Sequence, residues 1–172
     1  MPSGKVHDQI TVIAAGLSVP VWWHFSPTPR QWSAGAVLIL SMLFSGLAIS
    51  PDLDLNSSVY RRWGVFRWLW WPYQKLVPHR SWISHSFLIG PLLRVGYFLF
   101  FVWGIFRICS WVVDRFLVPL DRNTLSREWW GALLNLWHTH PRHFQMLVLG
   151  LFLGAFLHSA ADLAVTTFKR RF

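Results

Sequence analysis

The chain has 172 residues, 53% hydrophobic and only 13% charged, about half the charge of an ordinary soluble domain. With a mean hydropathy of +0.36 this excludes a conventional water-soluble enzyme, and the high apolar content with a single cysteine, Cys109, excludes a disordered chain or a disulfide scaffold. The net charge of +9 suits anionic lipid headgroups, because the basic residues flank apolar runs and not polar, base-stacking segments; no nucleic-acid partner is expected.

In chain order, the first apolar stretch runs from Ile10 to His24 and carries Pro20, which predicts a span that tilts, kinks or ends early. The second is clearer: 21 uncharged residues lie between Arg30 and Asp52, enough at about 1.5 Å per residue to cross some 30 Å of hydrocarbon. Next, Tyr60 to Tyr73 interleaves tryptophans with Arg61, Arg62 and Arg67, the pattern of an amphipathic segment lying in the membrane interface. A third apolar stretch from Phe87 to Val113 is interrupted by Arg94 and Arg107, which either snorkel or face the bundle interior. Asp114 to His143 is the most polar part and predicts a loop with one short helix near Arg127 to Trp137. The fourth stretch, Phe144 to Phe168, holds His158 and Asp162 in its second half, where a lone aspartate costs at least ~2.5 kcal/mol at mid-bilayer.

The fold expected is therefore all-α: a single domain over residues 1–172, an integral membrane bundle of about four helices with an interfacial segment. Its 13 tryptophans suit the two membrane boundaries. If the spans alternate, the larger share of Lys and Arg falls on the side of both termini, which predicts cytoplasmic termini in a multi-pass inner (plasma) membrane protein.

The same alternation gathers His7, Asp52, Asp54, His79, His85, His158 and Asp162 on one face. Imidazole and carboxylate together suit divalent Zn, Mn or Fe. His158 and Asp162 are an i, i+4 pair and project from one side of a helix. Asp52 and Asp54 follow Pro51; two ions, or one ligand with a supporting carboxylate behind it, both fit them. Seven candidates exceed one tetrahedral site, so two metals are expected. The competing reading pairs His158 and Asp162 with each other or with Arg94. A second histidine cluster, His138, His140 and His143, falls on the opposite side, where Pro141 interrupts any helical register, and His24 sits beside Trp22 and Trp23 at the interface.

The strings SPDLDL (Ser50–Leu55), HRSWISHS (His79–Ser86) and HSAAD (His158–Asp162), with the early His7, resemble an uncharacterised family of metal-binding bacterial membrane proteins. They are also similar to the LexA-regulated type of membrane-bound metal-dependent hydrolase, distantly related to the all-helical superfamily of zinc-dependent phospholipase C and single-strand-specific nucleases. The resemblance implies metal ligation by all seven residues and phosphoester hydrolysis, without naming a substrate. Ser81 and Ser84 stand where that pattern commonly has glycine and threonine. In an enzyme of this kind Asp54 would orient the attacking water and Arg80 would bind a phosphate oxygen through its planar fork. Membrane lipid is the expected partner and a phosphorylated lipid the expected substrate; the alternative is a non-enzymatic or structural metal-binding membrane protein.

Overall fold

A computed structural model describes residues 4–25, 28–77, 86 and 89–169. Among these the secondary structure is entirely helical: α1 (Gly4–Phe25), α2 (Pro29–Leu47), α3 (Ser58–Arg62), α4 (Trp71–Leu76), α5 (Ile89–Phe116), α6 (Arg122–Thr139) and α7 (Pro141–Lys169), with 3-10 turns at Pro51–Asp54 and Gly64–Trp70. Three segments are long and apolar enough to cross a membrane: Gln31–Asp54, Ile89–Phe116 and Pro141–Thr167.

The expected first span is a continuous helix of 22 residues, but it does not join those three. Lys5, His7, Asp8 and Gln9 make its opening turns polar. Pro20 does not end it, because losing one bond to the carbonyl four residues back leaves the rest of the ladder intact. The polar stretch after Asp114 is more ordered than expected. α6 covers 18 residues, starting where the Asp121 carboxylate accepts from the amides of Asn123 and Thr124 at 3.0 and 3.1 Å, an N-cap. Pro141 starts α7, at a position where its missing N–H costs nothing. Arg107 reaches the polar segment that follows its helix. It donates to Ser126 Oγ at 2.6 Å and to the Arg122 carbonyl at 3.2 Å, tying α5 to α6.

Helices α2 and α7 make the tightest approach. A Cβ added to Gly150 would lie 2.3 Å from the Leu38 carbonyl, and one on Gly154 would lie 2.5 Å from the Met42 carbonyl. Only glycine lets the two backbones meet this closely. The Ser45 hydroxyl completes the contact, donating to the Leu151 carbonyl at 2.6 Å.

Below this seam the apolar core collects Ile49, Leu53, Val59, Leu69, Trp70, Tyr73 and Val77, with Tyr97 and Phe98 of α5 against it. It anchors the 58–76 segment. Leu69 and Trp70 point inward while Val65, Phe66, Trp68 and Trp71 remain exposed, which makes this an aromatic strip with one buried and one open side. Gly64, at φ +52°, makes the turn into that strip. Gln74 then clamps the turn after α2, donating from Nε2 to the carbonyls of Leu53 and Leu55 at 3.0 Å each.

Candidate metal centre

Two helical stripes converge at one end of the bundle. On α1 the buried residues are His7, Thr11 and Ala15, a four-residue spacing that keeps them on one side. On α7 the same spacing links Gly150, Gly154, His158 and Asp162. The glycines that press α7 onto α2 therefore also aim the ionisable pair, one turn farther on, into the bundle. Thr11 secures the other stripe, donating to the His7 carbonyl at 3.0 Å, and it meets α2 at Gly46.

His7, His158 and Asp162 are 5%, 2% and 8% exposed, and their ligand atoms all lie within 4.8 Å of one another. The two imidazoles stack with centroids 3.8 Å apart and planes 16° from parallel. His7 Nε2 is 3.3 Å from Asp162 Oδ1, and His158 Nε2 is 3.7 Å from Asp162 Oδ2 and 3.4 Å from Asp52 Oδ1.

These separations bear on two readings of the cluster. Hydrogen bonds between such groups would close to about 2.7–3.2 Å, and no hydrogen bond satisfies His158 Nε2 or either Asp162 oxygen among the described residues. Donor atoms that share a tetrahedral ion at about 2.0–2.2 Å stand roughly 3.3–3.6 Å from one another. The 3.3 and 3.4 Å pairs fall in that range and the 3.7 Å pair lies just beyond it, which favours a shared cation over direct bonding. The chemistry agrees, since two imidazoles with carboxylate oxygens suit zinc, manganese or iron. Burial holds the His7 imidazole below its ordinary pKa of 6.5, and a charge on His158 pushes the same way, against the raising fields of Asp162 and Asp52. A neutral imidazole is the form that ligates.

The two aspartates of the Pro51–Asp54 turn divide. A 3-10 helix has three residues per turn, so positions two apart point about 120° away from each other. Asp52 stands against His158. Asp54, 5% exposed, is not one of the converging trio among the described residues. Arg94 faces the interior with no exposed surface.

His79, Arg80 and His85 lie outside the described residues. The HTHPRH histidines gather no cation-holding group among the described residues: His140 and His143 meet edge to face at 5.6 Å, and His143 Nε2 instead shares a 2.8 Å hydrogen bond with Ser33 Oγ. His24 is exposed, its ring against Phe25. The small-residue stripe on α7 escaped the sequence reading, although Gly150 and Gly154 at four-residue steps before His158 are a visible signal.

No curated protein and no solved structure matches this chain significantly. Residues 2–172, nearly the whole chain, match the family described as "Uncharacterized metal-binding protein (DUF2227)". With a buried trio of ligand-type side chains at one end of its bundle, the chain belongs to that metal-binding family.

Proposed function

We propose that this protein is a membrane-embedded, metal-dependent hydrolase acting on a lipid-linked phosphoester at the cytoplasmic face of the inner membrane. The observation that carries the reading is the convergence of His7, His158, Asp162 and Asp52 at donor spacings of 3.3–3.7 Å. His7, His158 and Asp162 hold the ion, with Asp52 beside them and zinc the ion that best suits the donors. A divalent cation held there lowers the pKa of water towards ~7 and polarises a phosphoryl oxygen. Three protein ligands are the usual complement of a hydrolytic zinc site, since a closed structural site uses four. In this reading Arg80 takes the phosphate.

Membrane embedding is supported by the outward faces of the long helices. Leu92, Leu99, Phe100, Ile108, Trp111, Leu149, Phe156 and Leu163 are all exposed, an apolar surface that water does not tolerate on a monomer. The total accessible surface, 11295 Å², also exceeds the roughly 8,700 Å² of a compact soluble protein of this mass. Lipid covers the difference. The exposed Phe66, Trp68 and Trp71 with Arg67 support an interfacial surface in a segment whose Leu69 and Trp70 share the core with Leu53, next to Asp52, and favour a substrate delivered from the bilayer.

Elemental analysis of detergent-purified protein against a His158→Ala/Asp162→Ala double variant tests the centre: the variant loses the metal. Carbonate extraction leaves the protein in the membrane fraction and detergent releases it. A panel of phosphoesters tests hydrolysis, and turnover of none by fully metal-loaded protein refutes the enzymatic part.

A second reading is favoured by the depth of the trio. Ligands only 2–8% exposed suit an ion that ties α1, α7 and the turn after α2 together without turnover. Water exchange separates the two, because a hydrolytic site keeps an open position and a structural one does not.

A further inference from the structure

Helix α6 buries none of its 18 residues, and its contacts fix its depth in the bundle. Its first half meets α5 within about one turn: Ser126 Oγ accepts from Arg107, Trp129 stacks on Phe106 with centroids 5.1 Å apart, and Trp130 meets Trp103 at 6.3 Å. Its last turn meets the start of α7, where Trp137 stands edge to face with Phe144 at 5.0 Å. That start sits beside the beginning of α2, through the 2.8 Å hydrogen bond between His143 and Ser33. Phe44, eleven residues farther along α2, packs on Phe98 of α5 at 6.0 Å. From there α2 runs on to Ile49 and the core, while α5 runs from the core to α6. The same rise on α5 therefore leads from Phe98 to Cys109. Both ends of α6 thus fall between the depths of Trp103 and Cys109, about 9 Å of α5, although α6 is about 27 Å long. The helix lies across the bundle, at the end away from His7, His158 and Asp162.

Its side chains sort by side. Ser126, Trp129 and Leu133 are half-buried against the bundle, while Glu128, Asn135 and His138 are exposed on the far side. Trp130, Leu134 and Trp137, at steps of four and three residues, form an open apolar flank between them; they are 51%, 65% and 50% exposed. This flank lies between two segments long and apolar enough to cross a membrane, and indoles collect where such segments leave the hydrocarbon. The charges of Asp121, Arg122, Arg127 and Glu128 cancel, so burial of the apolar flank, and not attraction to anionic headgroups, would hold the helix there.

We propose that α6 is a second interfacial element, which inserts the flank of Trp130, Leu134 and Trp137 into the boundary between headgroups and hydrocarbon in the leaflet opposite the metal centre. The inference rests on the membrane embedding proposed above and is independent of the metal centre and of hydrolysis.

The test places single nitroxide labels in a Cys109→Ser background, at Trp130→Cys and Leu134→Cys on the flank and at Glu128→Cys and Asn135→Cys on the polar side, in phosphatidylcholine nanodiscs. Phe100→Cys, on the outer face of α5 and 65% exposed in the native protein, is the reference. Oxygen, which concentrates in hydrocarbon, and a water-soluble nickel complex each relax the labels. Oxygen is expected to be the stronger relaxant at Trp130 and Leu134, and nickel at Glu128 and Asn135. Leu134 and Asn135 are neighbours in the chain, so a reversal between them reports side and not depth. Nickel access at Leu134 equal to that at Asn135 overturns the proposal. Protection of Leu134 from both reagents also overturns it, in favour of a covering protein or a second copy. Oxygen access at Phe100 with nickel access at Leu134 sinks the α6 proposal alone, whereas nickel access at Phe100 refutes the membrane embedding itself. If one flank variant does not fold, the other reports on the same flank.

Discussion

Replacing Gly154 by alanine tests whether helix contact sets the ligand geometry. The added Cβ would lie 2.5 Å from the Met42 carbonyl oxygen, 2.8 Å from Ser45 Cβ and 2.9 Å from the Gly46 nitrogen. Two of these are backbone atoms of α2, which no rotamer change can move. Ordinary contact begins near 3.4 Å, so α7 must back away by about 1 Å, since packed helices have no slack to absorb the methyl. His158 and Asp162 ride on that helix one and two turns farther on, and metal–ligand distances tolerate only about 0.2 Å. We expect zinc to bind roughly 10- to 100-fold more weakly, the usual cost of disturbing the support of a ligand, which is about 1.4–2.7 kcal/mol. Competition against a chromogenic chelator in detergent measures it, and far-UV circular dichroism confirms that helix content is unchanged. Gly96→Ala is the control, because nothing lies within 4 Å of its added Cβ and alanine favours a helix interior. Gly154→Ala with affinity within about twofold of wild type would refute the link between the glycine seam and the site.

Three further outcomes are expected. Because burial holds His7 below 6.5, the unfolded chain takes up its proton first, so the metal-free protein loses stability as pH falls through and below that value; thermal midpoints from pH 8 to 5.5 show the decline, and a His7→Gln variant flattens it unless the sign is wrong. Breaking the half-exposed Asp8–Arg62 pair with Asp8→Asn changes stability by less than about 1 kcal/mol, and a larger loss in a thermal melt would mean the pair supports His7. In a Cys109→Ser background, Asn56→Cys, beside the metal-end turn, and Asn123→Cys, at the start of α6, are both exposed. A membrane-impermeant thiol reagent added to intact cells labels the second and not the first, and the reverse pattern would invert the proposed orientation.

The helices were readable where local rules dominate. The uncharged run before Asp52 and the His158/Asp162 spacing announce a long apolar rod with two groups that share a side. Asp121 ahead of Asn123 and Thr124 also carried a capping signal, masked by the polarity of the stretch it starts. Other features depend on neighbours no sequence pattern names. Pro20 permits either a break or a continuous helix, and only the intact ladder around it selects the latter. The 3-10 turn that separates Asp52 from Asp54 is one of two conformations, turning or extended, that SPDLDL alone allows. The interior placement of Arg94 is set by packing between elements distant in the chain, which no local pattern states.

Helix α7 is both an outer wall of the bundle and the carrier of His158 and Asp162. A rod with those two duties cannot slide or lean without dragging its donors past His7 and Asp52. Any tilt or shift of α7 against α2 thus acts on the same coordinate that sets the separation of those donors, so the seam at Gly150 and Gly154 is also the ruler of the site.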